Sequence, residues 1–167
     1  ISTEKNQKIC QFLQKEIKEV DGVRISIHPG KEHRFVVVFH GTELRDDLTD
    51  ADPQKDGKMA KGTEGLSQEA QRTAEIINLY LKKAGEVLKP FHPANAILAR
   101  GFSKFPHIPK MLEKFKLRSA ATATYPMYRG LARLVGMEIL KTGETLKEEV
   151  ETLKENFERY DFFYIHF

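Results

Sequence analysis

Apolar residues recur along this chain with two different periods. Over residues 2–20, Ile9, Phe12, Leu13, Ile17 and Val20 stand three or four apart, a spacing that predicts a helix with one apolar face. Ser2 or Thr3 can cap its start, and Asp21-Gly22 ends it. Cys10 shares that face and reads as a core thiol rather than a reactive one. Residues 23–28 predict a strand, Pro29-Gly30-Lys31-Glu32 a hairpin turn, and residues 34–40 a second strand. The run Phe35-Val36-Val37-Val38-Phe39 is apolar on both faces, which predicts a central place in a sheet. The helical period returns at Ala70, Ala74, Ile77, Leu81, Ala84 and Leu88, between a capping Ser67 and the breaker Pro90.

The second half alternates. Strands are predicted over 95–99, 118–124, 137–140 and 161–167, and helices over 109–116, 127–135 and 146–160, the last with the capping box Thr145/Glu148. Such alternation predicts an α/β fold: a mixed, partly parallel sheet flanked by helices. Between the two halves of the first pattern lies a long polar loop, residues 41–66, rich in Asp. A loop of this length is usually functional or mobile.

Composition narrows the partners. Twenty-seven basic and 24 acidic residues leave a charge of +3, too small to call for nucleic acid. No apolar run approaches the roughly 20 residues of a membrane helix, and no signal segment opens the chain, so no membrane partner and a cytoplasmic compartment are expected. A single cysteine excludes an internal disulfide and a Cys-rich zinc site. The chain opens on Ile1 and ends in the apolar run 162–167, so it is expected to be a piece of a longer protein.

The candidate chemistry is anion binding. Arg100, with Lys104 close behind, and Arg129 each follow a predicted strand and precede or open a helix, where α/β proteins hold ligands. Helix starts and planar guanidinium forks both suit phosphate or carboxylate. His40 and His107 also fall just past predicted strand ends, and Tyr125 and Tyr128 border the second turn. Arg133, four residues after Arg129, is read as sharing its helix face. Asp52, Gln54, Asp56 and Gly57 imitate the start of a calcium loop, but Pro53 is the second residue and Thr63 stands where the bidentate Glu belongs. No His pair has zinc-protease spacing, and there is no nucleophile elbow, phosphate-binding Gly-Lys-Ser loop or dinucleotide glycine fingerprint.

An ordered set of segments gives a sharper lead. Val20-Asp21-Gly22-Val23, His28-Pro29-Gly30, His33-Arg34, Leu48-Thr49-Asp50-Ala51-Asp52-Pro53, and the stretches 94–101, 104–109, 123–137 and 160–166 resemble the archaeal type of cofactor-independent phosphoglycerate mutase, in the alkaline phosphatase superfamily. The resemblance implies an isomerase that moves a phosphoryl group between the 2- and 3-hydroxyls of phosphoglycerate through a phosphoserine, assisted by two divalent metals, manganese or zinc. It implies that residues 1–107 are an inserted substrate-clamping domain and 108–167 the return toward the catalytic core. Arg100, Lys104, Arg129, His107, His40 and Tyr125 would then contact substrate. At His40 the family's usual residue is arginine. The serine and the metal ligands would lie in the missing remainder of the catalytic domain, the fragment's main partner besides phosphoglycerate. This stretch alone is expected to bind no metal and to be inactive. A free-standing anion- or nucleotide-binding regulatory module is the alternative.

Overall fold

The apolar face over 9–20 forms a helix, but a shorter one than its period suggests. The computed structural model describes residues 1–167 and divides them into two units, Ile1–Lys104 and Phe105–Phe167. In the first, α1 (Thr3–Glu16) starts at Ser2, whose hydroxyl accepts the Lys5 N–H at 3.3 Å. Ile9, Cys10 and Leu13 are buried on its inner face. The chain then leaves the helix, so Val20 is a strand residue: β1 (Glu19–Val20) turns through Asp21 (φ 50°) and Gly22 (φ 78°) into β2 (Val23–Pro29). Two successive left-handed residues make the primed turn that suits the twist of paired strands. Asp21-Gly22 is therefore a hairpin turn rather than a helix stop.

A second hairpin, closed by Gly30 N–H donating to Arg34 O at 2.8 Å, leads to β3 (Phe35–His40). The strand order is β1-β2-β3, all antiparallel, so β3 lies at the sheet's edge and not at its centre. Its two apolar faces have different fates. Phe35, Val37 and Phe39 pack on the core, while Val36 is 60% and Val38 36% exposed. The opposite edge of β2 outruns the two residues of β1 and is finished by a side chain. Gln14 Oε1 accepts the Ile27 N–H at 2.7 Å, and its Nε2 donates to Ile25 O at 3.1 Å.

The long second helix, α2 (Gln71–Leu88), covers this sheet with Ile76, Tyr80, Ala84 and Leu88. It begins four residues after Ser67, whose hydroxyl caps the preceding turn through Ala70 N–H. The core is continuous from α1 through β2 to α2, and Leu13 is wholly enclosed in it. Each such Leu or Ile contributes roughly 1.5–3 kcal/mol of burial.

The second unit contains α3 (Met111–Phe115), β4 (Ser119–Ala123), α4 (Pro126–Leu134), β5 (Glu138–Ile139), α5 (Leu146–Asn156) and β6 (Phe162–His166). The strand order is β5-β4-β6, all parallel. All five residues of β4 are buried, and none is larger than Thr, which lets helices lie close to the sheet. Asp161 stands just before β6: its carboxylate accepts from Arg118 N, Nε and Nη2 at 2.8, 3.1 and 3.0 Å. α5 carries the capping box expected of Thr145 and Glu148. The class is α/β, with the antiparallel and parallel strands separated into two sheets.

Candidate functional site

Arg100 does not follow a strand. Residues 95–99 form no ladder; one carbonyl, Ala99 O, accepts the N–H groups of Ala51 and Asp52 at 2.9 and 3.0 Å. What holds this segment is the acidic loop. Asp50 Oδ1 accepts the Gly101 N–H at 2.9 Å, where the backbone takes the left-handed φ of +70°. Asp46 Oδ2 accepts the Lys104 N–H at 3.0 Å. Asp52, with only 13% of its side chain exposed, stands 3.4 Å from Arg100 Nη1. Asp52 also accepts Gln54 N–H at 2.9 Å, the short-range turn its residue type favours. Loop 46–52 is thus a scaffold that fastens residues 99–104 by their backbone and orients one guanidinium. Arg100 keeps 55% of its side chain exposed, so most of its donor fork stays free.

The loop is itself anchored on α2. Asn78 accepts the Thr63 N–H and donates to Thr63 O, both at 2.8 Å, and Arg45 N–H reaches Thr73 Oγ1 at 2.9 Å. The bond from Ser67, followed by those from its own backbone and Arg45, holds the Asp47 carboxyl below its usual range despite some burial.

His40 ends β3 and is exposed. Its Nε2 lies 2.8 Å from Ser26 Oγ, which is also 3.1 Å from His28 Nε2, so the open face of the sheet carries a Ser between two imidazoles. In the second unit, His107 stands exposed on a stretch that is neither helix nor strand. Tyr125 is the residue before α4, with its ring 6.3 Å from that of Tyr128. Arg129 lies inside α4, and with Ala123, Thr124, Arg133 and residues 139–144 it lines a hollow of about 310 Å³ beyond the carboxyl ends of β4 and β5. Within its unit, each Arg therefore has a built setting: a scaffolded loop for Arg100 and a hollow for Arg129.

Sequence reasoning missed Glu149. It lies on α5 with 0% exposure, and neither carboxylate oxygen completes a hydrogen bond. Burial pushes its carboxyl up, opposed by nearby His166 and the Thr124 backbone. His166 stacks on Tyr128 with ring centroids 3.3 Å apart, and its Nδ1 is another buried atom without a partner, as is Thr122 Oγ1. The signal was present: Glu149 falls on the apolar stripe Leu146, Val150, Leu153, where a solvated Glu does not belong. No group of three or more His, Cys, Asp or Glu side chains is arranged to hold a metal ion. The residues present do not fit the donor sets of two divalent cations.

Comparison with known proteins gives concordant matches. A family model described as 2,3-bisphosphoglycerate-independent phosphoglycerate mutase matches residues 1–95. The chain is 52% identical over 165 residues to a probable 2,3-bisphosphoglycerate-independent phosphoglycerate mutase of Thermotoga sp. strain RQ2, covering 99% of this chain and 41% of that protein. The same description applies to a relative in Aquifex aeolicus, 42% identical over 171 residues, with 99% and 42% covered. Among solved structures, the cofactor-independent phosphoglycerate mutase of Thermoplasma acidophilum superposes with a TM-score of 0.68 at 24% identity, covering 96% of this chain and 47% of that one. The chain thus spans about two-fifths of the length of the curated relatives it matches.

Proposed function

The chain belongs to the 2,3-bisphosphoglycerate-independent phosphoglycerate mutase family, and we propose that it supplies the substrate grip of a longer metal-dependent mutase. In that protein the phosphoryl-accepting serine and the metal ligands come from polypeptide outside these residues. The substrate is 2- or 3-phosphoglycerate, and residues 1–107 and 108–167 are the clamp domain and the return toward the core. Divalent metals held by that outside polypeptide would supply activation of the serine and neutralisation of the transferring group. Arg100, Lys104, Arg129, His107, His40 and Tyr125 are the residues proposed to meet the substrate. Their task is to hold it by its carboxylate and phosphate while the phosphoryl group changes oxygen.

The observation that carries this reading is the fastening of residues 99–104 by Asp46, Asp50 and Asp52. An exposed arginine usually samples many rotamers. Arg100 is biased toward one direction by Asp52, 3.4 Å away, and most of its five N–H donors remain for an oxyanion. A pre-oriented cation loses less side-chain entropy on binding. In the complete enzyme, Arg100→Ala lowers kcat/KM for 3-phosphoglycerate by about 2–4 kcal/mol of transition-state stabilisation, measured with enolase coupling. Arg45→Ala, whose guanidinium faces Asp47, leaves it nearly unchanged. Equal losses in the two variants, or none in Arg100→Ala, contradict the assignment of Arg100.

A further inference from the structure

The arginines of this chain are mostly engaged. Arg34, Arg45, Arg72, Arg100 and Arg118 each face a carboxylate, and Arg159 meets Asn156 and the Tyr160 ring. Arg24, Arg129 and Arg133 form no ion pair, and the last two share one α4 face four residues apart. Like charges at that spacing destabilise a helix. Lys141, just past β5, lines the same hollow and is also unpaired. Against these three cations the lining offers one carboxylate, Glu144.

Position adds to charge. β4 runs through α4 to β5 on one side, and α5 then carries the chain back to β6 on the other side of β4. The hollow opens where this reversal occurs, beyond the carboxyl ends of parallel strands, and Thr124 adds a hydroxyl to its wall. Its volume of about 310 Å³ is at the small end of ligand sites, enough for a three-carbon phosphorylated acid.

We propose that Arg129, Arg133 and Lys141 form an anion subsite contained wholly within the second unit, built for a phosphate monoester dianion. Arg133 is thereby a ligand-binding residue and not merely a neighbour of Arg129 on the helix. The inference takes only the identity of its natural ligand from the mutase reading; the subsite rests on the hollow and its unpaired cations.

The test is an NMR titration of this 167-residue chain with 3-phosphoglycerate, inorganic phosphate and glycerate, which lacks the phosphate. Saturable shifts of the Thr124, Thr142 and Gly143 amides and of the Arg129 and Arg133 Nε–H signals are expected with the first two ligands and not with glycerate. Saturation by 3-phosphoglycerate alone would show that the whole substrate is recognised, and saturation by both that the phosphate suffices; either supports the subsite. Arg133→Ala and Lys141→Ala should each weaken binding about tenfold, as for a lost charge-assisted bond. Arg159→Ala should leave the titration unchanged. No saturable shift, an equal response to glycerate, or full binding by the Arg133→Ala/Lys141→Ala double variant overturns the proposal. The mutase reading has its own outcome. A complete protein without turnover defeats that reading even if this chain binds phosphate, and turnover insensitive to both substitutions defeats the subsite alone.

Discussion

Replacing Asp50 by Ala should loosen the segment that carries Arg100 while leaving the core intact. Asp50 accepts two hydrogen bonds, from Gly101 N–H at 2.9 Å and from Gln54 Nε2 at 3.1 Å. A bond to a charged acceptor is worth about 1.5–3 kcal/mol when sheltered. Asp50 is exposed, so water and salt take part of that, and a net loss of about 1–2 kcal/mol is expected. The loss should be local, because Ala99 O still receives two N–H groups from the loop and Lys104 N–H still reaches Asp46. Amide hydrogen exchange reads it directly: Gly101 should exchange roughly 5- to 30-fold faster in the variant. Amides of α1 and α2 should keep their protection. An unchanged Gly101 rate would mean that Asp50 does not fasten this turn, and the scaffold argument for Arg100 would fall with it. A uniform rise at every amide would instead show that Asp50 supports the whole unit.

Other outcomes follow from single features. Asn78→Ala leaves both backbone groups of Thr63 without their partner and should cost about 1–3 kcal/mol in urea unfolding. A smaller loss would mean water replaces the amide. Burial pushes the Cys10 thiol up to about 11, so native protein should resist a thiol reagent at pH 8 and react fully once unfolded. Because the thiol ionises first in the unfolded chain, its contribution to stability should fall as pH rises from about 9 to about 11. Arg118's hydrogen bonds hold the Asp161 carboxyl low, so that pair stabilises the fold above the ordinary carboxyl range and is lost as pH falls through the depressed value. Asp161→Asn should therefore lower the urea midpoint at pH 7, with the gap to the parent closing in acid; a constant gap would contradict the pairing.

The local rules written in the chain were legible where neighbours in sequence are also the partners. Ile9, Leu13 and Ile17 sit four apart and are buried together. Thr145 and Glu148 cap α5 because both groups belong to the same turn. The Gly30 hairpin and the β4–α4–β5 alternation obey the same logic. Periodicity reports which side of an element is apolar, and Phe35–Phe39 shows its limit. Two apolar faces predicted a central strand, yet only the face bearing Val37 found a core, because pairing partners depend on chain that is distant in sequence.

The candidate site was legible by residue type and opaque by arrangement. Arginines after apolar segments drew notice, but Arg100 owes its setting to carboxylates about fifty residues away, and bonds across such separations leave no local pattern. Asp50 alone could equally have capped its own turn, as Asp52 does for Gln54. Glu149 marks the boundary most clearly. Its place on an apolar stripe was readable from spacing, whereas its enclosure beside His166 arises only when α5 closes over β4 and β6. Side-chain chemistry and helical or strand period are properties of neighbouring residues. Burial, unpaired charge and the direction of a guanidinium depend on which distant segments meet, and folding alone brings those together.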